Sequence, residues 1–231
     1  MARSLDTPVV RPTLYDFGET IGAWAEGVLD LVPRGRLVLV GNSVGGSCAI
    51  EVAARVPRRV DAVVLVAAKA GHRPEPEVRD EAVRILEEHG VAPAWARYWE
   101  PLFSPRADPA VVASARDMAL EQSVDDIIRG VRVFHGRPDR SEFVEQLRAH
   151  VIVVRGERDP LGRNAGTPSR SVPSREFHEI PGVGHYVPLE APTELARIVA
   201  SAVDDETDSR ARGDAPRAPG RTCAPMQRPL G

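Results

Sequence analysis

Leu37-Val38-Leu39-Val40-Gly41-Asn42-Ser43-Val44-Gly45-Gly46 passes without a break from a continuous apolar run into a glycine-rich turn. Four consecutive branched apolar residues ahead of a glycine are the pattern of a short parallel strand buried on both faces. Downstream, residues Val44 to Val56 carry helical spacing and stop at Pro57, and Ala62-Val63-Val64-Leu65-Val66 repeats the buried-strand pattern. Strand, helix and strand over 36–68 make a βαβ unit, with the right-handed crossover that parallel pairs adopt. The fold class is therefore α/β.

On the N-terminal side, Phe17, Ile21, Ala25, Val28 and Val32 recur about every four residues, and Asp16 with Glu19 has capping-box spacing, so an amphipathic helix is expected. On the C-terminal side the character changes at His72. Helical periods follow without strands: Val78, Ala82, Ile85 and Leu86 before Gly90, then Ile127, Ile128 and Val131 behind Ser123 and Asp126, then Phe143, Val144 and Leu147 behind Ser141. Strand patterns return at Val151 to Val154 and Glu176 to Ile180, and Leu195, Ile198, Val199 and Ala202 behind Pro192 form a closing helix. The expected organisation is a core of 1–71 and 149–203, a helical insertion of 72–148, and a disordered tail of 204–231 with too few apolar side chains to pack. An Arg212-Gly213-Asp214 triplet in that tail reads as chance.

Composition excludes several classes. With 42% hydrophobic and 27% charged residues the chain can bury a sizeable core, and 30 basic against 33 acidic residues leave a net charge of −3. That balance offers no counterion-release drive toward nucleic acid or an anionic membrane. Cys48 and Cys223 are too few for a disulfide framework or a metal cluster, and no apolar run is long enough to span a bilayer. A cytoplasmic protein without a metal, acting on a small molecule, is the expectation.

Gly41-Asn42-Ser43-Val44-Gly45 is a G-x-S-x-G pentad placed between strand and helix. In that position small residues on either side allow a strained turn that presents the serine hydroxyl, and the next backbone N–H, of Val44, opens a helix and can stabilise an oxyanion. A serine needs a base, and the base needs an acid to hold its tautomer. Asp159 follows the strand at 151–154, and His185, in Gly182-Val183-Gly184-His185, follows the strand at 176–180. Ser43, Asp159 and His185 thus stand in order at C-terminal strand ends, where α/β sheets place their sites. Glu157 is a weaker candidate acid, and His72, His89, His135, His150 and His178 read as packing or surface residues. A plain glycine-rich phosphate loop at 41–46 is disfavoured by the lack of a nearby lysine, Lys69 being the chain's only one.

The Gly-Asn-Ser-Val-Gly-Gly turn, the Gly-Glu-Arg-Asp-Pro stretch at 156–160 and Pro-Gly-Val-Gly-His-Tyr-Val-Pro-Leu-Glu-Ala-Pro at 181–192 together resemble the α/β-hydrolase superfamily, over about residues 14–203. The resemblance implies a mostly parallel sheet, Ser43 as nucleophile, His185 as base and then acid, Asp159 as its orienting partner, residues 72–148 as a helical cap, and no cofactor. The closing stretch is similar to small esterases, enol-lactonases and cofactor-free haloperoxidase-like proteins. The Gly-Asn-Ser elbow is similar to carbon–carbon bond hydrolases of aromatic degradation, although those carry tryptophan where this chain has Tyr186. Trp95, Trp99, Phe103, Asn42 and Tyr186 are candidates to line an apolar substrate pocket, with Trp95 and Trp99 expected on one helical face; anchoring of the cap is the competing role for the cap aromatics.

Two departures from the family pattern qualify these expectations. Only 42 residues precede Ser43, so the first four of the usual eight strands are missing. That leaves the strand at 37–40 as an exposed edge open to self-association, and it leaves Val44 as the sole oxyanion donor; losing one donor typically costs about a hundred- to a thousandfold in turnover. A start internal to a longer chain, a missing half supplied by a partner, and a decayed hydrolase are the competing explanations. Between Asp159 and His185, Gly162, Gly166, Pro168 and Pro173 weaken the helix the family would have there. The expected activity is hydrolysis of a small apolar ester or lactone through an acyl-enzyme. The alternatives are carbon–carbon bond hydrolysis, and a catalytically weak or inactive fragment acting as a binding protein.

Overall fold

The computed structural model describes residues 8–163 and 176–211. Strands β1 (Leu37–Asn42), β2 (Val60–Val66), β3 (His150–Gly156) and β4 (Glu176–Ile180) form one parallel sheet in the order β1-β2-β3-β4. Every residue of β2 is buried, and its alternation shows why a continuous apolar run is needed. Val63 and Leu65 pack with Ala49, Ile50 and Ala53 of helix α2 (Val44–Arg55) and Val144 of α7 (Ser141–Gln146). Val64 and Val66 face the other way, onto Val187 of α9 (Val187–Glu190) and Leu195 and Ile198 of α10 (Pro192–Ala211). Burial of each such side chain contributes about 1.5–3 kcal/mol.

Helix α1 (Ile21–Leu31) lies outside α2, with Trp24 fully buried and its indole N–H donating to Gly18 O at 2.9 Å. Its start differs from the expected capping box. Thr20 is the cap, accepting from Ala23 N at 3.0 Å, and Gly18 at φ 97° separates the helix from a 3-10 turn at Leu14–Phe17. Phe17 is therefore not part of the helix, and Trp24 is its most buried large side chain.

The elements between β2 and β3 are all helical, among them α3 (Pro76–His89), α4 (Val91–Ala94), α5 (Pro109–Leu120), α6 (Val124–His135) and α7. Ser123 caps α6 as expected, and Gly90 ends α3 at φ 80°. Ser141, in contrast, is the first residue of α7, and its N–H is received by Asp139 Oδ1 at 2.8 Å. Helix α5 escaped the periodicity reading because it buries none of its residues; its only sequence sign is Asp108-Pro109, whose carboxylate caps Ala110 N at 2.8 Å. Residues Trp95–Trp99 form a single π turn. Within it Trp95 and Trp99 meet different neighbours, Trp95 packing on Phe103 and Trp99 on the cluster that holds Leu86 and Ile128.

A short helix, α8 (Pro160–Arg163), follows β3, and α10 runs past Asp204 to Ala211, where a tail was expected. The Gly166–Pro173 stretch, Cys223 and Arg212-Gly213-Asp214 lie outside the described residues. Among the described residues β1 pairs only with β2 and forms one edge of the sheet, with Val40 46% exposed. No helix among the described residues is long and apolar enough to cross a membrane.

Candidate active site

Parallel strands place all their C-terminal ends on one side, and the three candidate residues leave three of those ends. Ser43 follows β1 directly, with φ 51° and ψ −118°. A non-glycine residue at positive φ carries about 1–3 kcal/mol of backbone strain and persists only where its surroundings enforce it. Here the surroundings are glycines. A Cβ on Gly41 would lie 2.3 Å from Gly45 O, and one on Gly46 would lie 2.4 Å from the Ala68 Cβ and 3.0 Å from Gly41 O. The strand end and the helix start are thus in backbone contact, and the sharp turn between them has a single path. Ser43 N donates to Val66 O at 2.9 Å, which extends the β1–β2 ladder into the turn. Gly45, the pentad's second glycine, has no heavy atom near its missing Cβ. Val44 is the first residue of α2, so its N–H has no intrahelical acceptor and faces the helix entrance with the positive end of the dipole.

His185 and Asp159 meet as expected. His185 Nδ1 lies 3.0 Å from Asp159 Oδ2, and both side chains are almost completely buried. Burial alone would push the Asp159 carboxyl up; the hydrogen bond and charge of His185, with the Leu161 and Gly162 N–H groups, outweigh it and hold the group below its ordinary value. An ionised carboxylate only accepts, so His185 Nδ1 is the donor in this bond. Among the described residues neither the Ser43 hydroxyl nor His185 Nε2 makes a hydrogen bond. The structure therefore joins the candidate acid to the candidate base, and brings Ser43 to the same sheet edge without bonding it to them.

The turn that carries His185 is held from both sides. Glu157, the weaker candidate acid, accepts Gly182 N at 2.8 Å and so braces the turn, and Arg158 N donates to Val183 O at 2.7 Å. Glu190, which the sequence reading passed over, accepts Gly184 N and Ser104 N, each at 3.1 Å. Its sequence sign was its place in the closing Pro-Leu-Glu-Ala-Pro stretch.

The pocket candidates separate. Phe103 lies 4.6 Å from Tyr186, whose ring meets His185 edge-on at 5.5 Å. Burial, with the negative charge of Asp159 nearby, pushes the Tyr186 phenol well up, so it stays protonated. Trp95 packs on Phe103 one step further out and donates its indole N–H to Glu100 at 2.9 Å. Trp99 packs against the cluster formed by Val83, Leu86, Val91, Ala94, Ile127 and Ile128, as an anchor within the insertion. Among the described residues the buried Asn42 Oδ1 has no hydrogen-bond partner. A recess of about 570 Å³ between Glu19, Glu87 and α6 is lined by none of these residues. No group of three or more His, Cys, Asp or Glu side chains among the described residues could hold a metal.

Comparisons with known proteins agree with this fold. A family model described as the alpha/beta hydrolase family matches residues 2–198. A Bacillus subtilis (strain 168) protein provisionally named 2-succinyl-6-hydroxy-2,4-cyclohexadiene-1-carboxylate synthase is 26% identical over 190 residues, covering 75% of this chain and 68% of its own. Among solved structures, a thermophilic esterase from Thermogutta terrifontis superposes with a TM-score of 0.71 at 22% identity, over 81% of this chain and 73% of that one. The enol-lactonase from Burkholderia xenovorans LB400 gives 0.69 at 20% identity, over 80% and 73%. At these identities the structural likenesses speak for the fold.

Proposed function

The chain belongs to the alpha/beta hydrolase family, and on that premise we propose that it is a serine hydrolase that cleaves a small, mostly apolar ester or lactone, with residues 72–148 as a helical cap. The observation that carries the reading is the buried His185–Asp159 bond at 3.0 Å on the sheet edge where Ser43 sits at positive φ. In the reaction, Ser43 Oγ attacks the carbonyl carbon while His185 Nε2 takes the hydroxyl proton, and Asp159 offsets the charge on the imidazolium. The Val44 N–H receives the developing oxyanion. Collapse expels the alcohol, which takes the proton from His185 and leaves the acyl group on Ser43. Water then repeats the sequence with His185 as base, releasing the acid and restoring the serine.

The test is labelling of the folded 231-residue chain by a fluorophosphonate probe, which phosphonylates an activated serine. Label that requires both Ser43 and His185, removed in turn as Ser43→Ala and His185→Ala, is the expected result. Folded wild-type protein that takes no label would end the serine-hydrolase reading. Turnover of simple aryl esters and lactones set against vinylogous diketones then separates ester cleavage from carbon–carbon cleavage.

A further inference from the structure

We infer that Glu190 is a positioning residue for His185, acting as a clamp that ties the Glu100–Ser104 segment of the insertion to the turn carrying the base; this rests on the triad reading above. One Glu190 carboxylate oxygen accepts Gly184 N, the residue before the base, and the other accepts Ser104 N, 86 positions away in sequence. Both are charge-assisted bonds to backbone, the stronger kind. The main-chain N–H of His185 itself donates to Leu102 O at 2.9 Å. Consecutive insertion residues therefore hold the turn by three means: the Leu102 carbonyl on His185, the Phe103 ring on Tyr186, and the Ser104 N–H through Glu190.

The contact leaves no slack. A Cβ on Gly184 would lie 2.5 Å from Ser104 N, 2.6 Å from Leu102 O and 2.7 Å from Glu190 Oε1. With Glu157 holding Gly182 on the opposite flank, the His185 backbone is fixed from two directions and Asp159 sets the ring. Removing the Glu190 carboxylate leaves the Gly184 and Ser104 N–H groups without acceptors in a buried place and frees the insertion from the base. The expected displacement is small, but catalysis is sensitive to it: misplacement by about 1 Å can cost on the order of a hundredfold.

The experiment compares wild type, Glu190→Gln, Glu190→Ala, Asp159→Asn and the Asp159→Asn/Glu190→Ala double variant, each as the full chain with its folded fraction measured by near-ultraviolet circular dichroism. The readouts are the rate of fluorophosphonate labelling per folded molecule, and kcat and KM on p-nitrophenyl acetate. Glu190→Ala is expected to lower kcat and labelling about 10–100-fold with KM within about twofold. Glu190→Gln, which is isosteric and keeps one acceptor oxygen, falls between and carries the test if the alanine variant does not fold. Because both residues act through His185, adding Glu190→Ala to Asp159→Asn lowers the rate by less than about twofold more. Folded Glu190 variants that label at the wild-type rate overturn the inference, as does a full additional drop in the Asp159→Asn background. A wild type that takes no label removes the triad reading, and this inference with it.

Discussion

Ser43 and His185 sit at the same edge of one sheet and are held there by opposite means. Ser43 is placed by backbone alone: a strained φ of 51°, the Gly41–Gly45–Gly46 contact, and one ladder bond from its N–H to Val66 O of β2. His185 is placed by distant parts of the chain: Asp159 on its ring, Leu102 on its N–H, and Glu157 and Glu190 on the glycines before it. The Ser43 side is thus held mainly by backbone conformation and backbone contacts, while the His185 side is held by side-chain hydrogen bonds from Asp159, Glu157 and Glu190. Substitutions on the two sides should fail differently, and the largest effects should come from the reacting groups themselves.

Ser43→Ala removes the proposed nucleophile while leaving the turn that holds it, so the expected loss is about 10⁴-fold or more in hydrolysis and complete loss of label, with a thermal midpoint equal to or above that of wild type. A midpoint several degrees lower would show that the hydroxyl contributes to folding, which its lack of hydrogen bonds argues against.

On the other side, Asp159→Asn should cost about 10⁴-fold in turnover, because an amide no longer fixes the productive imidazole tautomer. It should also lower stability, with a pH dependence of defined sign. The Asp159 carboxyl is held below its ordinary value in the folded chain, so its contribution is complete above about pH 5 and fades as pH falls through the depressed value. Thermal midpoints of wild type and Asp159→Asn should therefore differ most near neutrality and converge toward pH 3. A gap that stays constant over that range would mean that Asp159 does not act as a charged partner.

The same contrast explains how much of the fold and of the site is legible in the sequence. The βαβ unit, the buried strands and the elbow were legible because their causes are local: apolar runs, a proline stop, and a serine framed by glycines. Asp159 and His185 were legible because each directly follows a strand. Glu190 was not, since its two partners lie 6 and 86 residues away, and a glutamate on a one-turn helix has no periodic signature. Helix α5 was missed because it buries nothing and so leaves no apolar stripe. The π turn at Trp95–Trp99 is not legible either, since apolar spacing does not tell it from an α turn.

The elbow's glycines give two smaller effects of opposite sign. Gly46→Ala must fit a methyl group 2.4 Å from the Ala68 Cβ and 3.0 Å from Gly41 O, so α2 has to shift. The expected cost is about 1–3 kcal/mol in a urea unfolding experiment, with a fall in turnover as Ser43 moves. Gly45→Ala meets no heavy atom within 4 Å, and Gly45 lies in the first turn of α2 with no positive φ. Replacing a helical glycine by alanine there should be neutral or stabilising by up to about 1 kcal/mol. The pentad's second glycine would then be dispensable for packing, and Gly46, just outside the pentad, would be the one the turn requires. Activity on esters of increasing acyl length sharpens the point. If Gly45→Ala keeps acetate turnover but loses that of longer acyl esters, the open space beside Gly45 is where the acyl chain lies. If all esters are affected alike, that methyl group disturbs Ser43 itself, and the nucleophile side is less rigid than its glycine contacts imply.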